Sequence, residues 1–220
     1  MSEHKQLIVF LREPKIGKVK SRLAKAIGDK RALEVYRELL DTTLDVCDDL
    51  DVAKNLSFSE HSKLKRAGYT TSTQVCGNLG ERMLHSFLSF GEKGKRPTVL
   101  IGTDCPGINS VLLREAFETL NECDLVLGPC EDGGYYLIGM SKAIPELFQE
   151  IPWSTSRVLE QTMKKAKTLG LSVGLLDELY DVDVEEDYRR YKSGMKAKNW
   201  SASFIASHQK ITNKKDFSYV

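Results

Sequence analysis

The sequence predicts an α/β fold: a layered domain in which helices cover a largely parallel sheet. Three observations lead there. Short apolar runs alternate with amphipathic stretches along most of the chain. The runs are of strand length, while the stretches between them carry apolar residues at helical spacing. The loops that follow the runs then concentrate glycine, lysine, arginine and aspartate, as expected where ligands gather beyond the carboxyl ends of strands.

Taken in order, "QLIVFL" (6–11) is a buried first strand. The segment "REPKIGKVKSRLAKAIG" (12–28) reads as a loop, and a helix begins near Asp29, which is expected to cap it. Within that helix Leu33, Tyr36, Leu40, Leu44 and Cys47 recur on one face. "VAKNLSF" (52–58) and "TSTQVC" (71–76) are the next strands, and residues 78–90 form a helix. "PTVLIG" (97–102) is a strongly apolar strand, followed by a helix over 110–120. "DLVLGP" (124–129) and "YYLIGM" (135–140) flank a turn, and after "IPWSTS" an amphipathic helix runs to Gly170. "LSVGLL" (171–176) is the last strand, leading to the acidic segment "DVDVEED" (181–187). Residues 1–195 are read as one domain and 196–220 as a polar, basic, peripheral tail.

The 220 residues suffice for one sizeable core and are too few for two comfortable domains. With 32 basic against 31 acidic residues, the chain lacks the basic excess of a nucleic-acid binder. No apolar run approaches the roughly 20 residues of a membrane span, and the amino-terminal run is too short for a secretion signal. Five cysteines without a C-x-x-C pair point to free thiols, and so to a reducing cytoplasm.

Chemistry-bearing residues cluster in three loops. The loop after the first strand offers Arg12, Lys15, Lys18, Lys20 and Arg22 around Gly17. Lysine neutralises phosphate as a point charge and arginine grips two oxygens at once. The spacing fits neither a Walker loop nor a dinucleotide fingerprint. "GTDCPG" sets Asp104 directly after a buried strand, where an unpaired carboxylate is costly. In "DVDVEED" alternation sends Asp181 and Asp183 to one side. Magnesium is typically held by one or two carboxylates plus substrate phosphates, a need that Asp104 and Asp183 would meet together.

Six segments in this order, "FLREPKIGKVKSRL", "GNLGERM", "IGTDCPGI", "GPCEDGGYYLIGM", "IPWSTSRVL" and "DVDVEEDY", resemble a bacterial family of GT-A-fold candidate glycosyltransferases in the nucleotide-diphospho-sugar transferase superfamily. The resemblance spans about residues 5–192 and extends to the guanylyltransferases of 2-phospholactate-derived and molybdenum cofactors. It implies a three-layer α/β/α fold with a mostly parallel mixed sheet. It implies nucleotide binding by Arg12, Gly17, Lys18, Lys20, Arg22, Gln74, Gly77, Asn78 and Gly80, with Arg82 nearby. Asp104 and Asp183 would be ligands of Mg2+ or Mn2+, and Lys20, Asp104 and Asp132 the catalytic candidates. Asp132, Gly133, Gly134, Trp153 and Ser154 would border the acceptor or sugar, although Trp153 reads equally as core and Ser154 or Thr155 as a helix cap. Arg12 and Ser21 depart from the lysine and threonine common in that family.

The expected activity is metal-dependent transfer of a sugar from a nucleotide-diphosphate donor to a small acceptor. Nucleotidyl transfer to a phosphorylated acceptor is the alternative enzyme, and a catalytically silent nucleotide-binding protein is the alternative of another class.

Overall fold

A computed structural model describes residues 5–90, 95–198 and 218–219. Seven strands form one sheet in the order β4-β2-β1-β5-β7-β6-β8. They are β1 (Gln6–Leu11), β2 (Ala53–Phe58), β4 (Tyr69–Thr73), β5 (Thr98–Ile101), β6 (Leu125–Pro129), β7 (Tyr135–Met140) and β8 (Val173–Leu175). Neighbours pair in parallel except β7, which runs antiparallel to both β5 and β6. The short strand β3 (Leu64–Lys65) pairs instead with β9 (Ser218–Tyr219). Residues 196–198 of the expected tail continue helix α6 (Glu185–Lys198). Apart from these and β9, that tail lies outside the described residues.

The first strand shows why the sheet sits in the middle. Leu7, Val9 and Leu11 face one side and join Tyr36, Leu40 and Leu44 of α2 (Asp29–Asp48) and Leu113 and Phe117 of α4 (Ser110–Thr119). Ile8 faces the other side, with Met83 and Phe87 of α3 (Leu79–Phe90) and Ala166 of α5 (Val158–Thr168). A strand with alternate residues buried on both faces requires helices on both, and the result is three layers. Among the described residues no helix is long and apolar enough to cross a membrane.

Two local expectations are corrected. Part of the basic loop is helical: α1 spans Ser21–Ile27. Gly28, rather than Asp29, is the N-cap of α2, and Asp29 is its first helical residue, where its charge suits the positive end of the helix dipole.

Candidate functional site

The loops after β1, β2, β4 and β5 open at one edge of the sheet around a cavity of about 440 Å³. Its walls include Arg12, Lys18, Lys20, Arg22, Gln74, Arg82, Asp104 and Asp183. Residues from the two ends of the sequence therefore meet here.

Lys20 is the centre of that meeting. It sits in the left-handed region at φ 49° as the N-cap of α1, and its side chain is only 2% exposed. Its Nζ lies 2.5 Å from Asp104 Oδ1 and 3.3 Å from Asp183 Oδ1. Arg22 pairs with the other oxygen of Asp183. Burial would push the Lys20 ammonium down, but Asp104, Asp183 and the more distant Asp181 together outweigh it and raise its pKa.

The backbone holds the two acidic loops in register. Val182 N–H donates to the carbonyl of Asp104 at 2.9 Å. Asp187 Oδ2, in the first turn of α6, accepts from the N–H groups of Asp183 and Val184 at 2.9 Å each. A carboxylate reaching back to free amide donors at a helix start is half of a capping box. Asp181 lies between the acidic groups. Burial, then repulsion from Asp104 and Asp183, lifts its carboxyl to about 7. Its oxygen, that of Asp132 and the Cys130 sulfur lie within 4.8 Å of one another.

The turn "EDGG" separates its two carboxylates. Glu131 accepts both guanidinium nitrogens of Arg190 on α6 at 2.7 and 2.9 Å, an ion pair that ties the turn to that helix. Asp132 is exposed, and its Oδ1 accepts from Gly134 N–H at 2.9 Å. Gly133 is held at φ 85°, and a Cβ there would stand 2.1 Å from the carbonyl oxygen of Ser156. Tyr136 is buried, donating to the carbonyl of Asp177 at 3.0 Å, while Tyr135 packs on the opposite face of the sheet.

Several expected residues stand apart from the cavity wall. Gly17, Gly77, Asn78, Gly80, Asp132, Gly133, Gly134, Trp153 and Ser154 are not part of it. Asn78 and Glu81 form a reciprocal capping box on α3: Asn78 N–H donates to Glu81 Oε2 at 2.8 Å, and Glu81 N–H to Asn78 Oδ1 at 3.0 Å. A Cβ on Gly80 would enter the ring of Trp153 at 2.4 Å, so Trp153 lies directly on α3. Its ring also stacks on Phe148, centroids 6.3 Å apart. Ser154 is exposed, and the Thr155 hydroxyl accepts from Arg157 N–H at 3.3 Å. Burial raises the Cys105 thiol to about 12 and shifts that of Cys130 upward too, which disfavours the reactive thiolate at both.

Two contributors have roles that spacing alone does not signal. The Tyr36 hydroxyl accepts from Arg12 N–H at 2.8 Å and donates to the Arg12 carbonyl at 2.9 Å, clamping the start of the basic loop. Its apolar spacing in α2 signals only core. Arg82, which the resemblance sets only near the nucleotide, lines the cavity beside Gln74, whose Oε1 accepts from it at 3.1 Å.

The carboxylate oxygens of Asp104 and Asp183 are hard donors already gathered on one cation, the Lys20 ammonium. That donor set fits a magnesium or manganese ion, which takes oxygen ligands and keeps several waters.

The family described as "Uncharacterized protein conserved in bacteria (DUF2064)" matches residues 35–155. Among solved structures, the chain is similar to a candidate nucleotide-diphospho-sugar transferase from Desulfovibrio desulfuricans G20, with 28% identity, 83% of each chain covered and a TM-score of 0.75. It is also similar to the inositol-1-phosphate CTP transferase of T. maritima, with 16% identity, 85% of this chain and 92% of that one covered, and a TM-score of 0.58. Rv0371c of Mycobacterium tuberculosis H37Rv, solved with manganese, gives 16% identity, coverage of 86% and 98%, and a TM-score of 0.50. No curated protein matches. The chain belongs to the family described as uncharacterized protein conserved in bacteria (DUF2064), and its fold is that of the nucleotide-diphospho-sugar transferase superfamily.

Proposed function

We propose that this protein is a divalent-cation-dependent transferase that takes a sugar from a nucleotide-diphosphate donor. One observation carries the reading: Asp104 and Asp183, 79 residues apart in sequence, both contact the Lys20 ammonium in a cavity that Arg12, Lys18 and Arg22 also line. A cavity with that balance suits a pyrophosphate accompanied by a cation. The manganese belongs to the Rv0371c structure and the sugar-donor chemistry to the name of the D. desulfuricans protein; both support the reading by likeness.

In this mechanism Asp104 and Asp183 would hold the ion, which when bound would offset the charge of the diphosphate and of the leaving oxygen. Lys18, Lys20 and Arg22 orient the phosphates, with Gly17 allowing the backbone close to them. Gly77, Asn78 and Gly80 frame the nucleoside from the start of α3. Asp132 accepts hydrogen bonds from acceptor hydroxyls or takes a proton from one, and Gly133, Gly134, Trp153 and Ser154 border that acceptor.

Nucleotidyl transfer to a small phosphorylated acceptor is the second reading. The cations of the first loop, five with Lys15, suit a triphosphate, and the T. maritima neighbour is named as a CTP transferase. Incubation with nucleotide sugars and with nucleoside triphosphates, each with Mg2+ or Mn2+, separates them. Release of a nucleoside diphosphate supports sugar transfer, release of pyrophosphate supports nucleotidyl transfer, and binding without either product leaves a silent nucleotide-binding protein.

A further inference from the structure

The cavity holds cations of two kinds. Lys20 and Arg22 are neutralised by Asp104 and Asp183. Arg12, Lys18 and Arg82 have no carboxylate partner among the described residues. Arg82 is nonetheless firmly aimed. Its Nε donates to the carbonyl of Asn78 at 3.4 Å and one terminal nitrogen donates to Gln74 Oε1 at 3.1 Å. Gln74 is itself buried, and its Nε2 donates to the carbonyl of Ser57 at 2.8 Å. A neutral amide strut orients a guanidinium without discharging it. Of the five N–H donors of Arg82, most remain free.

Two further facts point to a ligand. Burial, then the charge of Arg12, depresses the Arg82 pKa, so the two guanidinium groups feel each other. Ser59 lines the same cavity, and its hydroxyl is buried without a hydrogen-bond partner. Two guanidinium groups without carboxylate partners and an unpartnered hydroxyl on one cavity are groups that an anion would join.

We infer that Arg12, at the start of the basic loop, forms with Arg82 and Ser59 a second phosphate subsite in this cavity, beside Lys18, Lys20 and Arg22. The inference rests on the transferase reading and deepens it, because the substrate set must then carry a phosphate beyond the pair held near Lys20. That phosphate is either the terminal group of a donor polyphosphate or a phosphate monoester on the acceptor. Both present oxygens that a guanidinium grips two at a time.

Calorimetric titrations at fixed ionic strength test this with inorganic pyrophosphate, inorganic tripolyphosphate and glycerol 3-phosphate as probes. Loss of charge-assisted hydrogen bonds from Arg82→Gln is expected to weaken at least one probe about tenfold or more. Loss confined to tripolyphosphate assigns the subsite to the donor's terminal phosphate, and loss confined to glycerol 3-phosphate assigns it to the acceptor. Arg82→Lys, which keeps the charge, is expected to recover part of the affinity. Where Arg82→Gln does not fold, Arg12→Gln carries the same reading, since Tyr36 holds the backbone of Arg12 and not its side chain. Wild-type protein that binds none of the probes, or variants that bind all three within twofold of wild type, overturns the inference. Asp104→Asn separates this failure from that of the transferase reading: it removes magnesium-dependent binding and leaves metal-free binding at the arginine pair.

Discussion

At the residue scale the site is a balance of charge around Lys20. Replacing Asp104 by Asn is expected to leave the fold intact, because its carboxylate is 43% exposed, its carbonyl and not its side chain holds Val182, and Asp183 still partners Lys20 at 3.3 Å. Magnesium-dependent nucleotide affinity and turnover are expected to disappear in Asp104→Asn, measured by calorimetry and product release; unchanged values would reject the metal assignment. Lys20→Met makes the complementary case. It leaves Asp104 and Asp183 facing each other without their shared cation, and metal-free stability should fall by about 1–2 kcal/mol, discounted for the exposure of both carboxylates. Magnesium should restore more stability to Lys20→Met than to wild type in urea denaturation, since an ion takes over the neutralisation that the ammonium gave. Asp104 and Asp183 were legible in the sequence because each stands in an acidic motif on a loop beyond a strand, where carboxylates are conspicuous. Tyr36 and Arg82 were not, because their roles come from contacts across 24 residues and from an amide strut that no spacing encodes.

Elements position those residues, and two of them can be tested alone. Helix α3 starts on the Asn78–Glu81 capping box, which satisfies backbone donors that would otherwise be free. Asn78→Ala should therefore cost about 1 kcal/mol in denaturant unfolding. A change within a few tenths would mean that the box adds little to the helix. The "EDGG" turn is stricter. Gly133 combines φ 85° with a carbonyl 2.1 Å from where a Cβ would sit, so Gly133→Ala is expected to cost roughly 2 kcal/mol or more. Because the same turn carries Asp132, turnover should fall with it. Most strands and the longer helices were readable from apolar period. Helix α1 was not: it is seven residues long, basic, and begins at a left-handed Lys20 with no side-chain cap. Its conformation is explained by the ion pairs that Lys20 and Arg22 make with acidic residues far along the chain, information absent from any local window.

Across the whole molecule, function follows from strand order. Placing β1 beside β5 brings the basic loop next to Asp104. Insertion of antiparallel β7 between β5 and β6 carries the "EDGG" turn to the same edge from the other direction. The short link with its Asp-Gly step makes the reversal between β6 and β7 legible in the sequence, but hydropathy does not say that β7 lies between β5 and β6. The cavity that results joins segments from residue 10 to residue 183. A ligand filling it would cross-link elements that otherwise meet mainly through the sheet, and would bind the native state alone. At a hundred times its dissociation constant such a ligand adds ~2.7 kcal/mol. For a chain of 220 residues that corresponds to a rise in Tm of roughly 5–10 °C. Thermal unfolding with nucleotide sugars and nucleoside triphosphates is expected to show this rise with Mg2+ or Mn2+ present, and to lose most of it on chelation or in Asp104→Asn. A rise that is full in the presence of chelator would mean that the cationic loops hold the nucleotide unaided, with Asp104 and Asp183 serving only to anchor Lys20.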